Sequence, residues 1–177
     1  MRRDRRKTTL RLTLSAIICA LSVVLLWLGG LIQILDLSVA VLVSMLVVFA
    51  VIELRGKYPY LIYAVTSVLS FLLLPVNSAA MTYVLFAGYY PIIKALLEKH
   101  LPIWGAWTVK MLVFAAGAVG ILLISEYVLL LPMDWLWAHW YVLVALPPLF
   151  VLYDIVMTRM ISAYLFRWRA RLRIPEL

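Results

Sequence analysis

The chain has 177 residues, 67% of them hydrophobic, with a mean hydropathy of +1.07. Soluble domains are about half apolar, so a soluble fold is excluded and an all-α polytopic membrane protein is expected, one integral domain over residues 1–177. The net charge of +8 sits beside apolar runs rather than along a phosphate-binding face, so it reads as a topology signal and no nucleic-acid partner is expected.

The basic stretch RRDRRK precedes an apolar run from Leu12 to Leu28. This run is longer than the apolar core of a secretory signal and shows no small-residue cleavage site, so an ordinary first helix is expected. Gly29-Gly30 is expected to end it. The remaining punctuation is Arg55-Gly56-Lys57-Tyr58-Pro59, Pro75-Val76-Asn77-Ser78 and Lys99-His100-Leu101-Pro102. These turns predict six helices, near residues 10–28, 37–54, 60–74, 79–98, 107–124 and 141–166. The last is expected to be interrupted at Pro147-Pro148. The segment Ser125–Trp140, SEYVLLLPMDWLWAHW, reads as a loop rich in tryptophan.

With six spans, every Lys and Arg falls on the side of the bundle that holds both termini. The opposite loops carry only acidic charge, in Asp36, Glu126 and Asp134. The positive-inside rule then predicts cytoplasmic termini in a bacterial inner membrane.

The fourth span is the most unusual. Met81–Lys99 carries Gly88, Tyr89-Tyr90, Pro91 and Lys94. A proline frees a backbone carbonyl and a lysine at membrane depth is costly, so neighbouring helices must satisfy both. Asp154 in the sixth span lies at a matching depth, each about 21 Å along its helix at 1.5 Å per residue. A structural Lys94–Asp154 ion pair is therefore expected. Snorkelling of Lys94 to the interface, or an Asp154 contact with Thr158 or Arg159, are the alternatives.

The first span has a stripe of small residues: Ser15, Cys19 and Ser22, with Ala16 and Ala20 alongside. Such faces let helices approach closely, either within the bundle or against another subunit. Cys19, the lone cysteine, reads as a packing residue and excludes an internal disulfide or a cysteine metal cluster.

A six-span bundle of this length with an A-x-x-x-A pair on its first helix resembles the substrate-binding (S) component of energy-coupling factor vitamin transporters. The resemblance implies that Ala16 and Ala20 face a transmembrane coupling subunit, which is driven by separate ATPase subunits. It also implies a small-molecule site in the outer half of the bundle. Candidates there are Gln33, Asn77, Tyr83, Phe86, Trp135 and His139, with Asp36, Glu126, Asp134 and Trp140 nearby. Aromatic faces with a few polar groups suit a small ligand. The tryptophans would equally form an interfacial belt.

No H-E-x-x-H, G-x-S-x-G or P-loop is present, and His100 and His139 are expected on opposite faces. No enzyme, cofactor or metal site is therefore expected. The basic ends, RRDRRK and RWRARLR, could bind anionic lipid. The alternative function is a non-transporting scaffold of envelope or cell-shape assembly that acts only through helix docking.

Overall fold

A computed structural model describes residues 2–31, 35–54, 56–75, 77–127 and 140–168. The elements are helices α1 (Arg2–Leu31), α2 (Asp36–Glu53), α3 (Tyr58–Leu73), α4 (Ser78–Thr82), a π-helical turn (Tyr83–Ala87), α5 (Tyr90–His100), α6 (Ile103–Tyr127), α7 (Trp140–Ala163) and a second π-helical segment (Tyr164–Trp168). Among the described residues no strand occurs.

Five segments are long and apolar enough to cross a bilayer: Lys7–Leu31, Asp36–Glu53, Ser78–His100, Ile103–Ile124 and Val144–Arg167. The expected third span, α3, is apolar but has 16 residues. At 1.5 Å per residue it covers about 24 Å, short of a hydrocarbon core of about 30 Å.

The distribution of side chains is that of a membrane protein. On α1 the exposed positions include Leu12, Ile17, Leu21, Val24, Trp27 and Leu28, while Ser15, Cys19 and Ser22 are buried. Water would favour the reverse. In lipid, the large apolar residues meet acyl chains and the small ones allow helices to close together.

The chain divides into two compact units, with the division between Val113 and Phe114, inside α6. In the first unit α1 packs against both α2 and α3, and α2 also packs against α5. One core cluster holds Leu26, Val43, Val47, Ala79, Tyr83 and Ile92. A second holds Ile18, Cys19, Ala50, Leu54 and Ile62. The Arg11 guanidinium lies 5.8 Å from the centre of the Tyr58 ring, so the starts of α1's apolar run and of α3 lie at one end of this unit.

α1 ends at Leu31, one residue beyond Gly29-Gly30. The glycines also serve close approach. A Cβ on Gly29 would lie 3.0 Å from Val39 Cβ, and one on Gly30 would collide with the Asn77 amide. The fourth span is not one regular helix. Its π turn is closed by the Gly88 amide donating to the Tyr83 carbonyl at 2.7 Å, and Pro91 stands in the first turn of α5. Proline suits that place because its missing N–H has no partner to lose there.

In the second unit Phe114 stacks on Phe150, with ring centres 4.6 Å apart and planes at 16°. Phe150, Asp154 and Met157 are buried along one stripe of α7. The helix runs through Pro147 and Pro148 without the expected interruption. Proline's fixed φ is itself helical, and the loss is confined to the carbonyls one turn back.

Candidate functional site

The A-x-x-x-A pair lies on an open surface. Ala16 and Ala20 are exposed and form part of the floor of a groove between α1 and α3, with a volume of about 420 Å³. Ser15, Cys19 and Ile62 complete the floor. Leu12, Tyr58, Leu61, Val65 and Leu69 form the rest of the lining. Short side chains from one helix and branched ones from its neighbour leave a trough along the helix axes, the shape that receives a second helix in lipid. Its lining is almost wholly apolar, which suits a hydrophobic occupant.

Of the ligand candidates, Asn77, Tyr83 and Phe86 lie in the first unit; Gln33, Trp135 and His139 lie outside the described residues. Asn77 is the N-cap of α4, where its Oδ1 accepts from the Ala80 amide at 3.0 Å. Its Nδ2 donates to the Leu26 carbonyl, also at 3.0 Å. Both ends of the amide are thus engaged within the protein. Beside it, the Ser78 hydroxyl donates to Asp36 Oδ2 and links the starts of α4 and α2.

Tyr83 and Phe86 belong to a cluster of aromatic rings around the π turn. Tyr63 meets Tyr83 at 6.2 Å and Tyr89 at 5.9 Å. Phe86 meets Tyr89 at 6.4 Å and Tyr90 at 5.0 Å. Such distances and tilted planes are favourable for ring pairs. The Tyr63 hydroxyl donates to the Val84 carbonyl at 2.8 Å. A π turn disturbs the regular ladder, and Tyr63 supplies a donor to it from the neighbouring helix. Gly88 is required here, since a Cβ would stand 2.7 Å from Tyr63 Cδ2 and 2.8 Å from Tyr83 Cζ.

Lys94 is 1% exposed. Its ammonium lies 2.8 Å from Glu98 Oε1, one helical turn on. The same oxygen receives Lys110 Nζ at 2.6 Å, from α6. Lys110 is also buried, and its ammonium lies 5.3 Å from the centre of the Trp107 ring. Glu98 is thus one partner of Lys94 and of Lys110. The spacing K-x-x-x-E announces it; Lys110, from the next helix, has no such local signal. Asp154 is buried and belongs to the second unit, where its backbone carbonyl accepts from the Thr158 hydroxyl at 2.8 Å.

Among the described residues, no group of His, Cys, Asp and Glu side chains is close enough to hold a metal ion. Comparison of the chain with protein-family models, with curated proteins and with solved structures gives no match.

Proposed function

We propose that this protein is a membrane-embedded binding component for uptake of a small metabolite or vitamin. It docks a transmembrane coupling subunit through the α1–α3 groove and depends on separate ATPase subunits for energy. The observation that carries this reading is the exposure of Ala16 and Ala20 on the floor of that groove. A residue pair suited to close helix approach is here turned outward, away from the protein's own core. The occupant is an apolar helix of the coupling subunit, because the trough follows the helix axes and offers no charge to a polar partner.

In the same proposal α3 is the sixth span, its short apolar length matched by tilt of its neighbours or local thinning of the bilayer. The termini are cytoplasmic in a bacterial inner membrane. The charge asymmetry of the loops supports that orientation. The ligand end is then the end that holds Asn77 and Tyr83.

One observation favours the scaffold reading. Asn77 spends both ends of its amide inside the protein, and a scaffold needs the groove but no ligand. Purification with and without Ala16→Leu/Ala20→Leu separates the two. The uptake role predicts co-purification of one membrane subunit with an ATPase pair, lost in the double variant while the protein itself stays folded. It also predicts ATP-dependent entry of the small molecule retained by the wild type. A membrane partner without ATPase subunits, and no retained small molecule, would replace uptake by scaffolding.

A further inference from the structure

The trough between α1 and α3 does not stop where the A-x-x-x-A pair stops. A second hollow of about 310 Å³ lies farther along the same two helices. Val23, Val24 and Trp27 line it from α1, and Leu73 and Leu74 from the end of α3. Helical spacing joins it to the first hollow. Ala16, Ala20, Val23 and Trp27 fall three or four apart and share one face of α1. On α3 the same spacing runs through Leu61, Val65, Leu69 and Leu73. The line extends from Leu12 to Trp27 on one helix and from Tyr58 to Leu73 on the other, about 22 Å at 1.5 Å per residue. Neither stretch contains a charged residue.

That length selects the occupant. An acyl chain entering from one leaflet covers about half of a hydrocarbon core of about 30 Å. The trough is longer than this, so one lipid tail leaves part of it empty. A helix that crosses the bilayer fills it from end to end.

The two ends differ in charge. Lys57 is exposed and immediately precedes Tyr58. The Arg11 guanidinium lies over the Tyr58 ring, and Lys7 is exposed one turn before Arg11. The far end is lined by valine, leucine and Trp27 alone. A basic mouth on an apolar trough complements an acidic group just beyond an apolar span. Membrane helices ordinarily carry basic residues on their cytoplasmic flank, so an acidic one there is a discriminating feature.

We propose that the occupant is a bilayer-spanning helix of another subunit, in contact with α1 and α3 over the whole trough and carrying an acidic residue beside Arg11 and Lys57. This rests on the proposed docking role of the groove. It adds the extent, the register and the charge of the partner segment.

Photo-crosslinking in intact cells tests it. Leu61 and, separately, Leu73 are replaced by a photo-reactive aliphatic amino acid, since both are exposed and line the first and second hollow respectively. One partner helix is expected in both adducts. Its cross-linked positions should lie about 12 residues apart, matching the two probes along α3. An Asp or Glu should flank its apolar span on the Leu61 side. Lipid adducts at both positions, adducts with a second copy of this chain, or a protein adduct at Leu61 with lipid alone at Leu73, would each overturn the proposal. Lys57→Gln leaves the lining intact and reads the charge. It should lower the yield of both adducts about two- to fivefold, the range for one exposed ion pair; an unchanged yield would overturn the acidic flank. A partner that spans the trough but purifies without ATPase subunits would sink the uptake role and keep the full-length contact. A partner bound to ATPase subunits that touches only Leu61 would do the reverse.

Discussion

The side-chain amide of Asn77 donates to the backbone carbonyl of Leu26, 51 positions earlier in the chain, at 3.0 Å. With its other end it caps α4. One residue thereby fixes the start of the fourth span against the far end of the first, across a gap that Gly30 keeps open. Asn77→Ala is expected to cost about 1–2 kcal/mol, the usual range for a lost cap with a lost hydrogen bond. Asn77→Ser should recover the cap but not the reach to Leu26. Thermal unfolding of the purified variants would rank them wild type, Ser, Ala.

Gly30→Ala tests the same contact from the other side. The added methyl collides with the Asn77 amide, so the amide or the helix must move. Its melting temperature should fall below that of the wild type. In Asn77→Ala the additional loss on introducing Gly30→Ala should shrink, because the two changes share one contact. A strictly additive double variant would refute the relationship.

Glu98 holds two buried ammonium groups on one carboxylate oxygen. Glu98→Ala leaves each of them short of a charge-assisted bond, a loss of about 1.5–3 kcal/mol. Glu98→Gln keeps an acceptor without the charge and should fall between. Steady-state accumulation in membranes and melting in detergent would both report the order. Indifference to Glu98→Ala would mean that the lysines are held by other groups.

Tyr63→Phe removes the donor to Val84 and keeps the ring contacts with Tyr83 and Tyr89. The Val84 carbonyl then sits beside a disturbed helical ladder with one bond fewer. A loss of about 1 kcal/mol is expected. Amide hydrogen exchange across Tyr83–Gly88 should accelerate more than in α2 or α6, since the change loosens the turn first. Uniform acceleration would show that the bond serves the bundle as a whole.

Composition makes the membrane class legible, because 67% hydrophobic content leaves no other solvent for the surface. The helix positions also follow from turn residues. What failed was the meaning of particular glycines and prolines. Gly29-Gly30 stands beside the end of α1 but is also a contact; Pro147-Pro148 looked like a break and lies within a continuous helix. At the prolines the local preference is weak beside what a neighbouring element or the lipid environment demands. Lys94 was recognisable as a group needing a partner, but Asp154 was the one expected; the i+4 signal of Glu98 was passed over. Lys110 was not readable, because a contact between helices has no fixed spacing. The exposure of Ala16 and Ala20 was likewise unreadable, since a small-residue stripe looks the same facing inward or outward.

The π turn also divides the fourth span into two angular phases. An α-helix advances about 100° per residue, and the wide turn shifts that count for everything beyond it. Residues before Tyr83 and after Ala87 therefore belong to different helical wheels, and a single wheel drawn through Ser78–His100 mislabels one half of the span. Removing one residue from Tyr83–Ala87 would restore a single wheel. The segment from Tyr89 onward would keep its present phase, because the wide turn is what absorbs the extra residue, and Lys94 would stay on its buried face.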